Sequence, residues 1–445
     1  MAYPMAIFML MLVYTRAQKF GEAKLMYEWK FLEFQWPSET EKENRISDGS
    51  YVVNRSLLTG IKVYKDKVYL TIPRWMWTSG HPVTLAKVVT VGDRHTLAPY
   101  PSWAAQKQGD CDALQYVQSM EIDPNTGRLY AVDTGRVGDQ LNLCPAKIVV
   151  YDLNTHEELG RYVIEDEAAG RTSNFLNDVV LDYIEGRMAY AYITNTMQSR
   201  ITVYDFRKGS AHYFEHPSME VEGDNASVVS INGEDYNFSV AIDGIAMSPD
   251  FRFVYYCVLG GYNLYQVPVW TLRTPGASEN TGVRLVGKKI SQTDGLAHGS
   301  KHLFYGALGL NAVYYWDSKK DIAAQDTSEG WVTLATQVEL IRNNKATQWP
   351  DTFAFDERGW IWFVSNRLQD FWGTTGIPAE GDAYMRVWKV FVNETSYLHK
   401  ADERTTMKGG ASNVTPLITW CGYALCIAVL TCLTAARMSF FNTSA

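Results

Sequence analysis

The sequence predicts an all-β protein, a six-bladed β-propeller with an N-terminal signal peptide and a C-terminal hydrophobic anchor helix. Three observations predict this fold. The 445 residues include 27 Tyr and 14 Trp, residue types that favour strands and aromatic-lined pockets over helical bundles. An apolar strand, a tight polar turn and a second apolar strand recur six times. The copies are 50 to 65 residues apart, and sheets of that size bury both faces only by packing against one another around an axis.

The second strand of each repeat marks the period. These strands begin just after Lys67, Arg128, Arg187, Arg252, His302 and Gly359, in steps of 61, 59, 65, 50 and 57 residues. The turns before them are rich in Gly, Asn and Asp, which supply the positive φ of short hairpins. A third strand usually follows, in the segments LAKVVTV, KIVVYDL, ITVYDF, LYQVPVW, AVYYWD and MRVWKVFV. A solenoid has shorter periods, and a pair of sandwiches would not explain six copies.

One early strand has no partner nearby in the sequence. We expect Tyr27–Trp36 to close the ring by pairing into the last blade, beside MRVWKVFV. The long insertions around Ser218–Asn237 and Asp317–Gln348 are expected to be loops on the propeller faces.

The N-terminus and the sequons indicate the secretory pathway. Met1–Val13 is almost wholly apolar, and small residues at Thr15 and Ala17 predict a signal peptide cleaved after Ala17, the alternative being a buried N-terminal segment. Six Asn-x-Ser/Thr sequons fit a glycoprotein processed in the endoplasmic reticulum. They lie at Asn54, Asn225, Asn237, Asn393, Asn413 and Asn442.

The cysteines form two groups. Cys111 and Cys144 lie in the body, and an oxidising compartment makes them the natural disulfide pair, stabilising the fold by roughly 3 kcal/mol. Cys257 lies in the apolar run FVYYCVL and is interpreted as a buried free thiol. Three further cysteines lie in the tail without metal-like spacing to histidine, so we predict no metal site and no cofactor.

The tail contains an uncharged run of 20 residues, Leu417–Ala436, which is long enough to span a bilayer as a helix. A glycosylphosphatidylinositol signal is the alternative, because Gly409–Ser412 offers small residues before a polar spacer. The predicted order is therefore a signal peptide (1–17), a propeller (18–405), a linker (406–416), a transmembrane helix or lipid-anchor signal (417–436) and a short tail (437–445). Either anchor leaves the body outside the cell. Net charge is −8 with no Lys/Arg block, which excludes nucleic acid as a partner.

Polar residues recur at two places in the repeats that a propeller brings to one mouth of its channel. At the starts of the innermost strands lie Asp178, Asp243, Asp294, Asp351 and Thr352; at the ends of the second strands lie Asp133, Asn195 and Asn366. Such a ring would attract a cation, either an organic amine or Ca²⁺. The alternative is that these side chains cap backbone N–H groups at strand ends.

Aromatic residues and the lack of catalytic motifs complete this interpretation. Phe238, Tyr262 and Trp349 lie near the same strand ends, where they either stack on a flat ligand or fill space between blades. The sequence contains no GxSxG, HExxH or Walker motif, and any acid–base role would depend on a carboxyl whose pKa is raised by its neighbours.

Over roughly residues 25–400 the chain resembles the yellow and major royal jelly protein family. The resemblance is carried by WKFLEFQWP, GIKVYKDKVYLTIPRW, PYPSW, IDPNTGRLYAVDTGRV, CPAKIVVYDL, FLNDVVLD, YAYITNTMQSRITVYDF, DGIAMSPD and RGWIWFVSNRLQDF. The family fold is a six-bladed propeller, in agreement with the repeat count.

The resemblance implies two kinds of activity: conversion of dopachrome, or binding of a biogenic amine in the central channel. In the amine binders an Asn and a Thr contact the ligand, and by motif these correspond to Asn366 and Thr352. The position two after that Asn is aromatic in the binders but is Leu368 here. We expect a cell-surface binder of a small aromatic or amine ligand, with a dopachrome-converting enzyme and a structural glycoprotein as alternatives.

Overall fold

The computed structural model describes residues 20–138, 141–223, 225–278 and 281–399, which form a six-bladed β-propeller. The predicted signal peptide (1–17), linker (406–416), hydrophobic segment (417–436) and short tail (437–445) lie outside the described residues, as do the sequons at Asn413 and Asn442. Among the residues described, no helix is both long and apolar enough to cross a membrane.

Each blade is a four-stranded antiparallel sheet. From the channel outward, the strands of blade 1 are Ile61–Tyr64, Lys67–Thr71, Leu85–Val91 and Arg94–Pro99, and those of blade 2 are Val117–Asp123, Arg128–Asp133, Lys147–Asp152 and Glu158–Val163. Those of blade 3 are Leu176–Ile184, Arg187–Asn195, Arg200–Asp205 and Ser210–Glu215, and those of blade 4 are Ile242–Met247, Phe253–Val258, Asn263–Pro268 and Arg284–Lys288. Those of blade 5 are Leu296–His298, Leu303–Ala307, Ala312–Trp316 and Gln337–Arg342, and those of blade 6 are Pro350–Phe355, Trp360–Ser365, Met385–Phe391 and Lys24–Trp29.

Blade 6 combines the two ends of the propeller sequence. Lys24–Trp29 pairs antiparallel with Met385–Phe391 as the outermost strand, so the predicted closure is confirmed. The strand is shorter than predicted, because only Phe34 of the following residues makes a bridge, to Leu97 of blade 1. The N-terminal segment therefore joins blade 6 to blade 1 and closes the ring.

The first strands surround the channel. Each contacts the first strand of the next blade, and Pro350–Phe355 of blade 6 returns to Ile61–Tyr64 of blade 1. We call the end where first strands begin and second strands end the mouth face, and the opposite end, where the hairpins between them lie, the turn face. All first-strand starts are therefore brought to one side of the protein.

Short elements connect the blades. The helices are Glu39–Ser47, Val269–Leu272, Ser318–Ala324 and Leu368–Phe371, and short 3₁₀ turns occur at Ala104–Gln106, Thr196–Gln198, Pro217–Met219 and Leu308–Leu310. Two small hairpins pair Arg136–Val137 with Leu141–Asn142 and Val228–Ile231 with Glu234–Asn237. The insertion Asp317–Gln348 is not only a loop, because Gln337–Arg342 is the outer strand of blade 5.

The cysteines behave as predicted in this part of the chain. Cys111 and Cys144 form a disulfide with a Cα–Cα distance of 5.3 Å. Cys257 is a buried free thiol in the second strand of blade 4. Burial raises its pKa to about 11, so this thiol is inert at neutral pH.

A segment after the last blade covers the channel at the turn face. Buried Tyr397 accepts a hydrogen bond from Leu181 N at 2.7 Å, and Asn125 Nδ2 donates to Leu398 O at 2.8 Å. Glu394 accepts from Lys301 N at 2.7 Å and also pairs with His302. This segment, Glu394–Leu398, therefore attaches to blades 2, 3 and 5 and closes one end of the channel.

Candidate functional site

Irregular pairing at the mouth face turns polar side chains into the channel. The register between first and second strands shifts at the same point in four blades, beside Gln118, Asp178, Asp243 and Asp351. An extra residue at such a bulge re-aims a side chain that regular pairing would direct elsewhere. The repeated irregularity therefore gathers polar residues from separate blades around the axis.

Two glycines allow neighbouring first strands to approach closely. A Cβ at Gly244 would lie 2.3 Å from Asp294 O, and a Cβ at Gly295 would lie 2.2 Å from Asp351 O. Gly295 N also donates to Asp351 O at 3.0 Å. The Asp-Gly pairs of blades 4 and 5 therefore bring three carboxyl groups together, because a side chain after either Asp would push the strands apart.

A cavity of about 260 Å³ opens above these carboxyl groups. Its floor contains Asp243, Asp294 and Asp351, and its walls and rim include four aromatic rings and several amides. The lining residues are Trp75, Gln118, Phe175, Asn177, Asn237, Phe238, Ser239, Val240, Asp243, Leu259, Asp294, Asp351, Leu368 and Trp372. No Lys or Arg occurs in this described lining, so the cavity is acidic and aromatic.

Burial perturbs the three carboxyl groups of the floor. It raises the pKa of Asp294 to about 6, although hydrogen bonds from Trp349 and Asp243 oppose the rise. Burial, then the charge of Asp294, raises the pKa values of Asp243 and Asp351 well above that of an ordinary aspartate. At neutral pH Asp294 is thus the most acidic and the ionised member, and the raised pKa values of Asp243 and Asp351 favour their neutral forms.

One oxygen of this cluster is unpaired. Asp243 is 2% exposed, and its Oδ1 has no hydrogen-bond partner among the described residues. A buried acceptor without a partner is unfavourable by about 1–3 kcal/mol. The cavity therefore offers a ligand donor an unsatisfied oxygen in a low-dielectric setting.

Trp349 supports the floor from behind. Its indole Nε1 donates to Asp294 Oδ2 at 2.7 Å, and its ring lies 4.7 Å from that of Phe238. The Trp349 backbone has φ 42°, a left-handed conformation that is strained for a bulky residue. The strained backbone places the indole against the carboxylate, so this tryptophan orients the floor and does not line the cavity.

A smaller chamber of about 50 Å³ lies deeper in the channel. Asp178 and Thr352 line this chamber rather than the cavity. Burial, then the charge of Asp294, raises the pKa of Asp178 to about 7. Lys62 Nζ lies 3.1 Å from Glu121 Oε2 in the same chamber. The deeper chamber therefore contains its own cation, whereas the cavity above does not.

Two further predicted residues, Asp133 and Asn195, form hydrogen bonds and ion pairs within the fold. Asp133 accepts from Gln115 N at 2.8 Å and pairs with buried Lys147 at 2.9 Å. Asn195 Oδ1 accepts from Phe175 N at 3.0 Å. These contacts match the capping alternative.

Asn366 and Thr352, the two positions identified by motif, are also hydrogen bonded within the protein. Asn366 Nδ2 donates to Asp351 Oδ2 at 2.8 Å, and its Oδ1 accepts from Leu368 N at 2.9 Å. Thr352 Oγ1 donates to Thr59 O at 2.6 Å. Asn366 therefore positions a carboxyl group of the floor, and Leu368, not an aromatic residue, contributes to the cavity wall.

Sequence reasoning missed most of the aromatic wall. The sequence predicts Phe238 near the site but not Trp75, Phe175 or Trp372. Tyr262, which is also predicted there, lies outside the cavity lining. Trp75 follows a second strand by four residues, and Phe175 immediately precedes a first strand. Aromatic residues within a few positions of the mouth-face strand ends were thus the available signal.

Together the fold and cavity define a propeller with a small, acidic, aromatic-lined site at one mouth of its channel. No cluster of three or more His, Cys, Asp or Glu able to hold a metal occurs in the described ranges. The profile described as "Major royal jelly protein" matches residues 115–390, and the chain belongs to this family.

Individual relatives extend the match beyond those residues. The chain is 27% identical over 369 residues to "Protein yellow" of Drosophila subobscura, a match that covers 78% of this chain but only 61% of that protein. It is 26% identical to "Major royal jelly protein 1" of Apis mellifera, covering 78% and 82% of the two chains. It is 24% identical to "Dopaminechrome tautomerase" of Drosophila melanogaster, covering 85% and 83%.

Proposed function

We propose that this protein binds a small, positively charged aromatic amine in the mouth-face cavity. The observation that carries the proposal is the floor of three buried carboxyl groups, which lies beneath aromatic rings and has no basic residue in its described lining. An ammonium group donates to the unpaired Asp243 Oδ1 and is attracted by ionised Asp294. The flat part of the ligand stacks against the walls, where Trp75 and Trp372 have ring centroids 5.8 Å apart.

Size and enclosure support a ligand of this class. A cavity of about 260 Å³ is close to the lower end of the usual range for small-molecule sites. Because the floor is buried, a charge pair formed there is screened less than one on the surface. A neutral aromatic molecule would gain the stacking and at most a neutral hydrogen bond to Asp243 Oδ1, without the attraction of a positive charge to ionised Asp294.

Calorimetry with matched ligands tests the proposal. Serotonin and dopamine serve as amine probes, and 5-hydroxytryptophol, in which a hydroxyl replaces the amine of serotonin, is the control. We expect serotonin to bind about 10- to 100-fold more tightly than its alcohol, the value of one charge-assisted hydrogen bond. Asp294→Asn, which removes the ionised carboxylate, should abolish most of this difference, whereas Asp321→Asn, at a residue outside the cavity lining, should leave it unchanged. Equal affinity for amine and alcohol, or no heat with folded protein, contradicts the proposal.

A proton-transfer function is the second candidate, and one observation favours it. The pKa of Asp294 is raised to about 6 and that of Asp178 to about 7, values suited to general acid–base chemistry near neutral pH. A tautomerisation moves one proton between two atoms of the same molecule, and a relative is named dopaminechrome tautomerase. Faster loss of dopaminechrome absorbance than with heat-treated protein, abolished by Asp243→Ala, would support this function. An unchanged rate of absorbance loss would rule out this function and leave ligand binding as the proposed function.

The cellular location of the protein is a further part of the proposal. We infer that the chain enters the secretory pathway, since a disulfide persists mainly in oxidising compartments. We further propose attachment to the outer cell surface, with residues 417–436 acting either as a transmembrane helix or as the signal for a lipid anchor. Release of protein from intact cells by phosphatidylinositol-specific phospholipase C would identify a lipid anchor, and release only by detergent a transmembrane helix. Fully soluble protein in the medium would contradict attachment.

A further inference from the structure

The hairpin formed by Val228–Ile231 and Glu234–Asn237, here called the mouth hairpin, is fixed above the cavity. It leaves the chain between blades 3 and 4 but reaches residues near blades 5 and 6. Tyr236 donates from its hydroxyl to Asp370 Oδ1 at 2.8 Å, and Asn232 Nδ2 donates to Asn344 O at 3.0 Å. Because both ends of the hairpin are bonded to distant blades, its last residues hold a defined position at the rim.

Those last residues lead into a glycosylation sequon. Asn237, Phe238 and Ser239 all line the cavity, and Phe238 is buried while the residues on either side of it are exposed. Neither the Asn237 nor the Ser239 side chain hydrogen bonds to another residue in the described part of the chain. The buried ring therefore anchors a tripeptide whose acceptor amide projects to solvent.

The other described sequons differ in informative ways. Asn54 is half-buried, and its Nδ2, the atom that would carry a sugar, donates to Ile377 O at 3.3 Å. Asn225 and Asn393 are exposed but do not line the cavity. Asn237 is thus the described sequon at which a glycan would stand beside the candidate site.

We propose that Asn237 carries an N-linked glycan that restricts entry to the cavity to small molecules. In this reaction a lipid-linked oligosaccharide diphosphate is the donor. The Nδ2 of Asn237 forms a bond to C1 of the sugar, the bond from C1 to the diphosphate oxygen breaks, and Nδ2 loses one proton. An attached oligosaccharide is bulky and solvated, so it narrows the approach without changing the carboxyl floor. The inference rests on the secretory location proposed above and not on the identity of the ligand.

Glycan occupancy is the first measurement. The full chain is produced in cells with a functional secretory pathway, and peptides are treated with peptide-N-glycosidase in heavy-oxygen water, which marks each occupied Asn. We expect position 237 to be marked and position 54 unmarked. Protein that is exported with Asn237 unmodified would overturn the glycan inference and leave the proposed location intact. Protein that is retained in the cytosol would contradict the proposed location.

Access to the cavity is measured by the reactivity of an introduced thiol, so that no amine ligand is needed. Val240 is half-buried in the cavity lining, so Val240→Cys places a reporter there. The protein is exposed to a bulky polymer-linked maleimide, and thiol remaining in the peptide containing position 240 is then quantified with iodoacetamide. Peptide-level detection separates this thiol from the native cysteines.

The matched variants are Asn237→Gln and Asn225→Gln, which each remove one exposed sequon. We expect Asn237→Gln to accelerate the reaction with the bulky reagent several-fold and to leave the rate with iodoacetamide alone unchanged. Asn225→Gln should alter neither rate. Unchanged access after loss of the Asn237 glycan, or the same acceleration in both variants, would overturn the restriction.

Discussion

The Asp294→Asn substitution is predicted to stabilise the protein while weakening its candidate site. The pKa of Asp294 in the folded protein, about 6, lies above the ordinary aspartate value of 3.8. The folded state therefore binds more protons than the unfolded state between these pH values, and the contribution of this group to stability falls as pH rises through that window. Above pH 6 the ionised carboxyl opposes folding by about 3 kcal/mol, because each pKa unit corresponds to about 1.4 kcal/mol.

The asparagine keeps the geometry that the floor requires. Its amide oxygen can still accept from Trp349 Nε1, which lies 2.7 Å from Asp294 Oδ2, and it adds no charge. We expect the free energy of unfolding to increase by about 2–3 kcal/mol at pH 8 and to change little at pH 4. Urea unfolding followed by fluorescence at both pH values, under non-reducing conditions, measures the difference.

A second aspartate–tryptophan pair provides the control. Asp321 Oδ2 accepts from Trp316 Nε1 at 2.8 Å and also from the backbone N–H groups of Ala335 and Thr336. Burial raises the pKa of Asp321, but its several hydrogen bonds outweigh burial and lower the pKa overall, so the ionised form stabilises the fold above the ordinary pKa and this contribution is lost as pH falls. Asp321→Asn should therefore destabilise the protein by about 1–3 kcal/mol at pH 8. If Asp294→Asn lowers stability at pH 8 as Asp321→Asn does, the electrostatic account of the floor is refuted.

Three further outcomes are expected. Replacing Cys111 and Cys144 together by Ser should lower the free energy of unfolding by about 3–4 kcal/mol in urea titrations, and no loss would show that the disulfide contributes nothing. Arg273→Ala leaves the buried carboxylate of Asp182, which it contacts at 2.7 Å, without its partner, and thermal unfolding should reveal a loss of about 3–5 kcal/mol; an unchanged melting temperature would contradict this. The affinity for serotonin should fall between pH 8 and pH 5, as Asp294, with a pKa of about 6, is protonated, and calorimetry showing constant affinity would count against the carboxyl floor.

Much of the architecture could be predicted because the inner strands of each blade are apolar and separated by strong turn signals. All six predicted second strands and all six third strands are present. The outer strands carried a weaker signal: Glu158–Val163 is mostly exposed or half-buried, so no apolar face marks it in the sequence. For the same reason the sequence predicts a loop, not a strand, at Gln337–Arg342.

The candidate site was predictable only in part. Sequence repeats located the mouth-face aspartates, and the structure places Asp243, Asp294 and Asp351 in one cavity floor. The repeats could not distinguish a residue that caps backbone N–H groups from a residue that lines the cavity, since both roles use short polar side chains at strand ends. Asp133 satisfies backbone N–H groups, whereas Asp243 is turned inward by a register shift that depends on pairing geometry. The aromatic wall comes from loops far apart in the sequence, so only the closed ring brings it together.

The segment that seals the turn face has a kinetic consequence. With Tyr397 and Leu398 across that end, and only a chamber of about 50 Å³ above them, the described channel offers a bound molecule a single route. A bound ligand must leave through the opening by which it entered, and no second molecule can displace it from the turn face. The residence time of the ligand is then determined by the residues that surround this one opening.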